Sequence, residues 1–115
     1  MKIIKTIPAE LSNKQLYALT MSPKTQKMSD AKGSKIEVAA VCIYEDVDKK
    51  SGELREVMTI LSPEGEIFAT NSSTFMDDFN RMCDLFGDDG VTAIEVISGT
   101  SKAGREFITC AYAGD

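Results

Sequence analysis

The sequence contains no histidine. That absence removes the Ser-His and Cys-His pairs and most general-base schemes that work near neutral pH. C-x-x-C is missing too, and the three cysteines, Cys42, Cys83 and Cys110, lie far apart with apolar flanks. A structural zinc site and zinc hydrolase chemistry therefore lack their usual ligands. Buried, reduced and unpaired thiols are the expectation. Long apolar runs are absent as well, none approaching the ~20 residues of a membrane span. The opening "MKIIKTIPAELSNK" lacks the apolar core, about 7–15 residues long, of a signal peptide. The chain is expected to stay in the cytoplasm, without a membrane partner. Of the carboxylates, Asp77-Asp78 and Asp88-Asp89 fall in helix-start and turn contexts, where capping or turning occupies them. Catalysis is left little to stand on, so neither an enzyme nor a cofactor is expected.

What is present is an ordinary globular composition. The 115 residues are 43% hydrophobic and 27% charged, enough for one domain with a single core. The net charge of −5 argues against nucleic acid, but its distribution does not. Residues 1–35 hold seven lysines against Glu10 and Asp30, whereas the remainder holds six cations against sixteen acids. Lys24, Lys27, Lys32 and Lys35 cluster in the basic part, either as a solvated face or as a ligand surface.

From Lys35 the order of elements is legible. "KIEVAAVCIYEDV" predicts a long strand. Ile36, Val38, Ala40, Cys42 and Tyr44 share one parity, Val41 and Ile43 the other, as in a strand that bends and serves two layers. Asp46–Glu53 is a turn-rich loop, and "LREVMTIL" a second strand. "SPEG" fits a type I turn, and "EIFAT" is a short third strand. Phe75, Phe79, Met82 and Phe86 then recur at helical spacing, with Met76 and Cys83 beside them, and are expected in the core. Ser72, Ser73 or Thr74 can cap this helix, Asp77 and Asp78 suit its first-turn dipole, and Gly87 can end it in the left-handed conformation. "DDG" makes the exit turn. "VTAIEVIS" and "REFITCAY" are two more strands.

Between the last two strands lies "GTSKAG". Its glycines are spaced as in a phosphate loop, but Arg105-Glu106 follow Gly104 where that motif needs lysine and a hydroxyl. No helical stripe comes after, so a β-hairpin loop is expected. Strand-strand-strand-helix-strand-strand is the order of an OB-fold, a five-stranded Greek-key barrel with one helix between strands 3 and 4. The expected class is mainly β (α+β), with residues 35–115 as the barrel and residues 1–34 as a basic extension packing on it. Within the extension, "KQLYALTM" is an extra strand or part of a helix, and Ser22-Pro23 suits a helix cap and first position. OB-folds bind through strands 2–3 and the loops between strands 1–2 and 4–5, here Asp46–Glu53 and Gly99–Gly104.

Four stretches, "SDAKGSKIEVAAVCIYED", "REVMTILSPEGEIFATNSST", the helix and "VISGTSKAGREF", carry a resemblance. Over about residues 28–113 the chain resembles the single-stranded DNA-binding proteins of protein-primed Bacillus phages and related phages and prophages of gut Firmicutes. The G-T-S-x-x-G turn is the most specific part. The resemblance implies binding of single-stranded DNA without sequence preference during replication, other replication proteins as further partners, and tyrosines as stacking platforms. By position Tyr44 matches one such tyrosine and Phe68 another. A third aromatic has no counterpart, and Lys49 and Lys50 stand in its loop.

Nonspecific single-strand binding needs cations along the backbone and exposed aromatic faces. Lys102 and Arg105, then Arg55, Lys49 and Lys50, and Lys24 and Lys27 of the extension are the candidate phosphate contacts. Phe68 and Tyr44 are either exposed platforms or core, with Tyr17 and Tyr112 as the next aromatics. A different class remains open: an OB-like interaction module, such as a host-factor inhibitor or DNA mimic, using the acidic surplus. The sequence leaves the oligomeric state undetermined.

Overall fold

The computed structural model describes residues 1–114. In chain order the elements are β1 (Lys2–Ile7), α1 (Asn13–Thr20), β2 (Gln26–Lys27), a 3₁₀ turn (Met28–Ala31), β3 (Lys35–Glu37), β4 (Ala40–Val47), β5 (Leu54–Leu61), β6 (Ile67–Thr70), α2 (Ser73–Phe86), a 3₁₀ turn (Asp88–Gly90), β7 (Ala93–Thr100) and β8 (Glu106–Tyr112). The fold is mainly β. One sheet runs β1-β4-β5-β6-β2 and the other β3-β7-β8.

The two sheets meet in the expected long strand, which bends between β3 and β4. At the bend successive amides donate in opposite directions. Val38 N–H donates to Thr92 O at 2.9 Å and Ala39 N–H to Leu61 O at 2.8 Å. The bend also redirects the side chains. Ile36 joins the main core, yet beyond the bend that parity, Ala40, Cys42 and Tyr44, turns to a second cluster with Leu19. Val41 and Ile43 take over the inward positions. This is why both faces of the strand read as apolar.

Closure into a barrel is not observed, because β6 and β8 are unpaired. The edge of β6 is taken by β2, which pairs with it in parallel, Gln26 against Phe68 and Lys27 against Ala69. Met28 follows, has no exposed surface and belongs to the main core. A segment of residues 1–34 thus occupies the seam. Across it the Ser72 hydroxyl donates to Ile108 O at 3.3 Å.

"KQLYALTM" is helical, as α1. Its start is a capping box: Gln15 N–H donates to the Ser12 hydroxyl at 3.1 Å and Ser12 N–H to Gln15 Oε1 at 3.0 Å. Its end is held to the sheet by the buried Thr59 hydroxyl, which donates to Leu19 O at 2.7 Å. Ser22-Pro23 does not start a helix. It forms a turn, Thr25 N–H to Ser22 O at 3.4 Å, because Gln26 and Lys27 are drawn into strand pairing. β1 was not legible. A register shift between Ile3 and Lys5 breaks the alternation that would have marked it.

Ser72 caps α2, its hydroxyl accepting from Phe75 N–H at 3.2 Å. Asp77 and Asp78 lie beyond the first turn, so the expected dipole role is corrected. Phe75 and Phe79 are fully buried, but Phe86 is 45% exposed. It is the last residue of α2, and its ring stacks on Tyr112 at 4.3 Å instead of entering the core. Gly87 has φ 84° and ψ 158°, a glycine conformation but extended in ψ rather than left-handed helical.

Met28→Ala should cost about 2–5 kcal/mol of stability by denaturant titration, since a side chain plugging the core is removed. All three cysteines are free and buried. Burial pushes each thiol up, Cys110 to about 12 from an ordinary 9.0. Thiol labelling at pH 8 should therefore be slow and track global unfolding. Above pH 9 the unfolded chain ionises thiols that the folded chain keeps neutral. Their stability contribution is thus complete below pH 9 and declines above it, for Cys110 until about pH 12. Rapid native-state labelling would contradict this.

Candidate nucleic-acid interface

Two hairpin tips and the basic segment hold the candidate cations. In the β4–β5 hairpin, Gly52 N–H donates to Asp48 O at 2.7 Å and Lys50 N–H to Asp48 Oδ1 at 2.9 Å. This turn leaves Lys49 and Lys50 exposed. Arg55 differs, because its guanidinium is ion-paired to Asp48. The Lys50 amide, then Arg55 and Ser51, hold the Asp48 carboxyl below its usual value. The expected phosphate contact at Arg55 therefore has a resident carboxylate to displace.

The β7–β8 hairpin turns on Ser101. Gly104 N–H donates to Ser101 O at 2.9 Å, Ser101 N–H to Arg105 O at 2.8 Å, and Arg105 N–H to the Ser101 hydroxyl at 3.2 Å. The β5–β6 hairpin repeats this pattern on Ser62, Gly65 and Glu66. Gly104 and Gly65, at φ 81° and 91°, occupy the position where a side chain would be strained. Lys102 and Arg105 are exposed at the tip, and neither forms an ion pair among the described residues.

Behind that tip lies an aromatic that sequence reasoning missed. Phe107 is 37% exposed and pairs in register with Gly99. Its ring lies across Gly99 so closely that a Cβ there would sit 2.6 Å from Phe107 Cζ. Ile97, equally exposed, is the next residue of β7 on the same face. A signal for this existed. Once Ser101–Gly104 is taken as the turn, counting back along both strands sets Phe107 opposite a glycine.

Tyr44 and Phe68 are not exposed platforms. They are 7% and 8% exposed, respectively. Tyr44 lies in the cluster of Leu19, Ala40 and Cys42, on the face that α1 covers, with Leu11 packed alongside. Burial first, then the Asp46 carboxylate, pushes its phenol above the ordinary value. Phe68 faces the main core, although it also borders a groove lined by Lys27, Lys35 and Glu66. Tyr17 is exposed on α1, while Tyr112 is stacked on Phe86.

The structure therefore sorts the candidates into two groups. Lys27 lies on β2, and the following 3₁₀ turn leads to Lys32, whose Nζ is 3.3 Å from Glu106 at the start of β8. This brings Lys32 beside the start of β8, whereas Lys24 precedes β2 and, by the parallel register, lies toward the other end of β6. Lys49, Lys50 and Arg55 lie at the far end of β4, whereas the β7–β8 hairpin extends past the opposite end of the shared strand.

A family model described as phage single-stranded DNA-binding protein matches residues 8–112. No curated protein and no solved structure matches the chain.

Tyr44→Ala and Phe68→Ala should each lose about 3–5 kcal/mol of folding stability, as large buried rings do. Phe107→Ala should cost less, on the order of 1–2 kcal/mol, because a ring that is 37% exposed and laid across Gly99 is only partly buried. Denaturant titration of the three variants checks this; comparable losses at Phe107 would make it a packing residue.

Proposed function

The chain belongs to the phage single-stranded DNA-binding protein family, and from that premise we propose that it coats single-stranded DNA during replication of a phage or prophage. It does so in the cytoplasm of a bacterial host, beside other replication proteins. Binding is without strong sequence preference, makes no bond and uses no cofactor. The observation that supports this beyond family membership is the exposed Phe107 ring across Gly99, beside the Lys102–Arg105 tip. Nonspecific single-strand sites need that combination of a π-face for a base and cations for the backbone.

In this reading Lys102 and Arg105 are the principal phosphate contacts, with Lys24 and Lys27 continuing the path. Lys49 and Lys50 contact the strand farther along, and Arg55 follows by exchanging Asp48 for a phosphate. Tyr44 and Phe68 support the sheet, and Phe107 takes over the stacking role. The architecture is read as an OB-fold whose third and fifth strands, β6 and β8, are parted. Residues 1–34 form the extension and residues 35–115 the barrel-derived domain.

Two measurements test this. Affinity for oligo-dT should fall with salt at a slope of about −0.7 per phosphate neutralised. Lys102→Glu with Arg105→Glu should weaken binding and flatten the slope by roughly 1.4, with melting nearly unchanged. Phe107→Ala should lose about 1–3 kcal/mol of affinity. An unchanged slope would remove the tip from the path, and unchanged affinity in Phe107→Ala would remove the platform. Failure of the parent protein to bind any single strand at low salt would sink the function.

A further inference from the structure

The face of the five-stranded sheet that turns away from the main core is the one α1 lies on. Thr59 of β5, whose hydroxyl holds Leu19 O at 2.7 Å, pairs in register with Ala69 of β6, and Ala69 pairs with Lys27 of β2. Register partners point to the same side of a sheet, so Lys27 stands on the α1 side, two strands from the end of the helix. Arg55 has the parity of Thr59 along β5 and stands on that side too, beside its partner Asp48. In the OB-fold reading β5 and β6 are the second and third strands, whose face binds oligonucleotides. Here a helix covers that face. We propose that the single strand crosses it over α1, with the Tyr17 ring as a second base platform and Lys14 as a phosphate contact beside it. The inference rests on the single-strand reading above and adds a binding face that the covered sheet does not itself offer.

The helix turns the matching side outward. Leu19 is 1% exposed and packs on Ala40, Cys42 and Tyr44. At 3.6 residues per turn, Lys14, Tyr17 and Met21 fall on the side opposite Leu19. Tyr17 is 55% exposed, and Lys14 and Met21 are exposed with it. The cover over Cys42 and Tyr44 comes from Leu19 and Leu11, so the Tyr17 ring is left free for a ligand.

Charge points to a polyanion. Residues 11–29 contain Lys14, Lys24 and Lys27 and no acid, the longest acid-free stretch of the chain. None of these lysines forms an ion pair among the described residues. Cations for the backbone beside an open π-face for a base is the combination that nonspecific single-strand sites use, and stacking is tolerant of base identity. Tyr17 thus adds affinity without adding sequence preference. Phe107 belongs to the other sheet, so the two rings are separate platforms.

The test is a titration at low salt with oligo-dT of about 16 nucleotides, the upper site size of one OB-fold. The chain has no tryptophan and three tyrosines. Tyr44 is buried and Tyr112 is stacked on Phe86, so a base stacked on Tyr17 should quench the intrinsic tyrosine emission. Tyr17→Ala should weaken binding by roughly 5- to 150-fold, the range of one lost base stack, with melting nearly unchanged. Tyr17→Phe keeps the π-face and should bind as the parent does, with most of the quenching gone. Lys14→Gln should flatten the salt slope by about 0.7. Parent-like affinity in Tyr17→Ala, undiminished quenching in Tyr17→Phe, or an unchanged slope in Lys14→Gln overturns the proposal and leaves single-strand binding to the Lys102–Arg105 tip and Phe107. Equal losses in Tyr17→Ala and Tyr17→Phe overturn it as well, because the ring would then not be stacking. A parent protein that binds no oligo-dT overturns it together with the function on which it rests.

Discussion

Two consecutive amides, of Val38 and Ala39, hold this structure's two sheets together by pointing apart. One bonds to Thr92 and the other to Leu61, so a single strand is the edge of one sheet and an interior member of the other. A straight strand of this length would keep one parity buried throughout. Here Ile36 is core on one side of the bend, and Val41 and Ile43, of the other parity, are core beyond it. The parity that leaves the core cannot be left to water, because Cys42 and Tyr44 are apolar and near the middle of the sheet. α1 answers that demand. Leu19 caps the second cluster, and Thr59 ties the end of the helix to β5. A buried hydroxyl without such a partner would cost about 1–3 kcal/mol, so the bond fixes where the helix lies as well as satisfying the oxygen.

The open seam follows from the same N-terminal chain. Having crossed the outer face as α1, it returns as β2 on the edge of β6 and sends Met28 into the core. A barrel closed by direct β6–β8 pairing would have no place for either. Using a two-residue strand and a 3₁₀ turn here leaves the β8 edge partly uncovered and brings Lys32 beside it. One segment thus both fills the opening, through Met28, and sets a cation, Lys32, beside it.

The legible parts of this fold were those fixed by neighbours in sequence. The spacing of Phe75, Phe79 and Met82 located α2, S-P-E-G located the turn at Ser62, and the glycines of G-T-S-K-A-G located the loop between the last two strands, whereas the S-N-K-Q capping box of α1 went unread and left that segment between strand and helix. Parity placed Tyr44 and Phe68 on faces of their strands, but a face is exposed only if nothing covers it. Tyr44 is covered by residues some 25 to 33 positions upstream, and no local pattern records that. Phe86 failed differently. Its spacing was helical, but as the last residue of α2 it meets the end of β8, where its ring stacks on Tyr112 and stays 45% exposed. Arg55 looked free because its partner, Asp48, is brought to it only by the hairpin. Phe107 was missed because its exposure depends on register, and register was not counted back from the turn.

A net charge of −5 remains to be squared with binding a polyanion. Exposed charges more than about 8–10 Å away are largely screened at physiological salt, so the strand responds to local charge and not to the total. Several acids are locally neutralised: Asp88 holds Lys5, Glu106 holds Lys32, and Asp48 holds Arg55. Lys102 and Arg105, by contrast, form no ion pair among the described residues, so the hairpin tip presents unshared cations. The remaining acids then have an electrostatic consequence of their own. Where they outnumber cations they repel the backbone, so one face attracts a strand while much of the rest of the surface turns it away. For a member of a single-stranded DNA-binding family, an acidic surplus elsewhere is compatible with binding, because repulsion there leaves fewer places for a polyanion to lie.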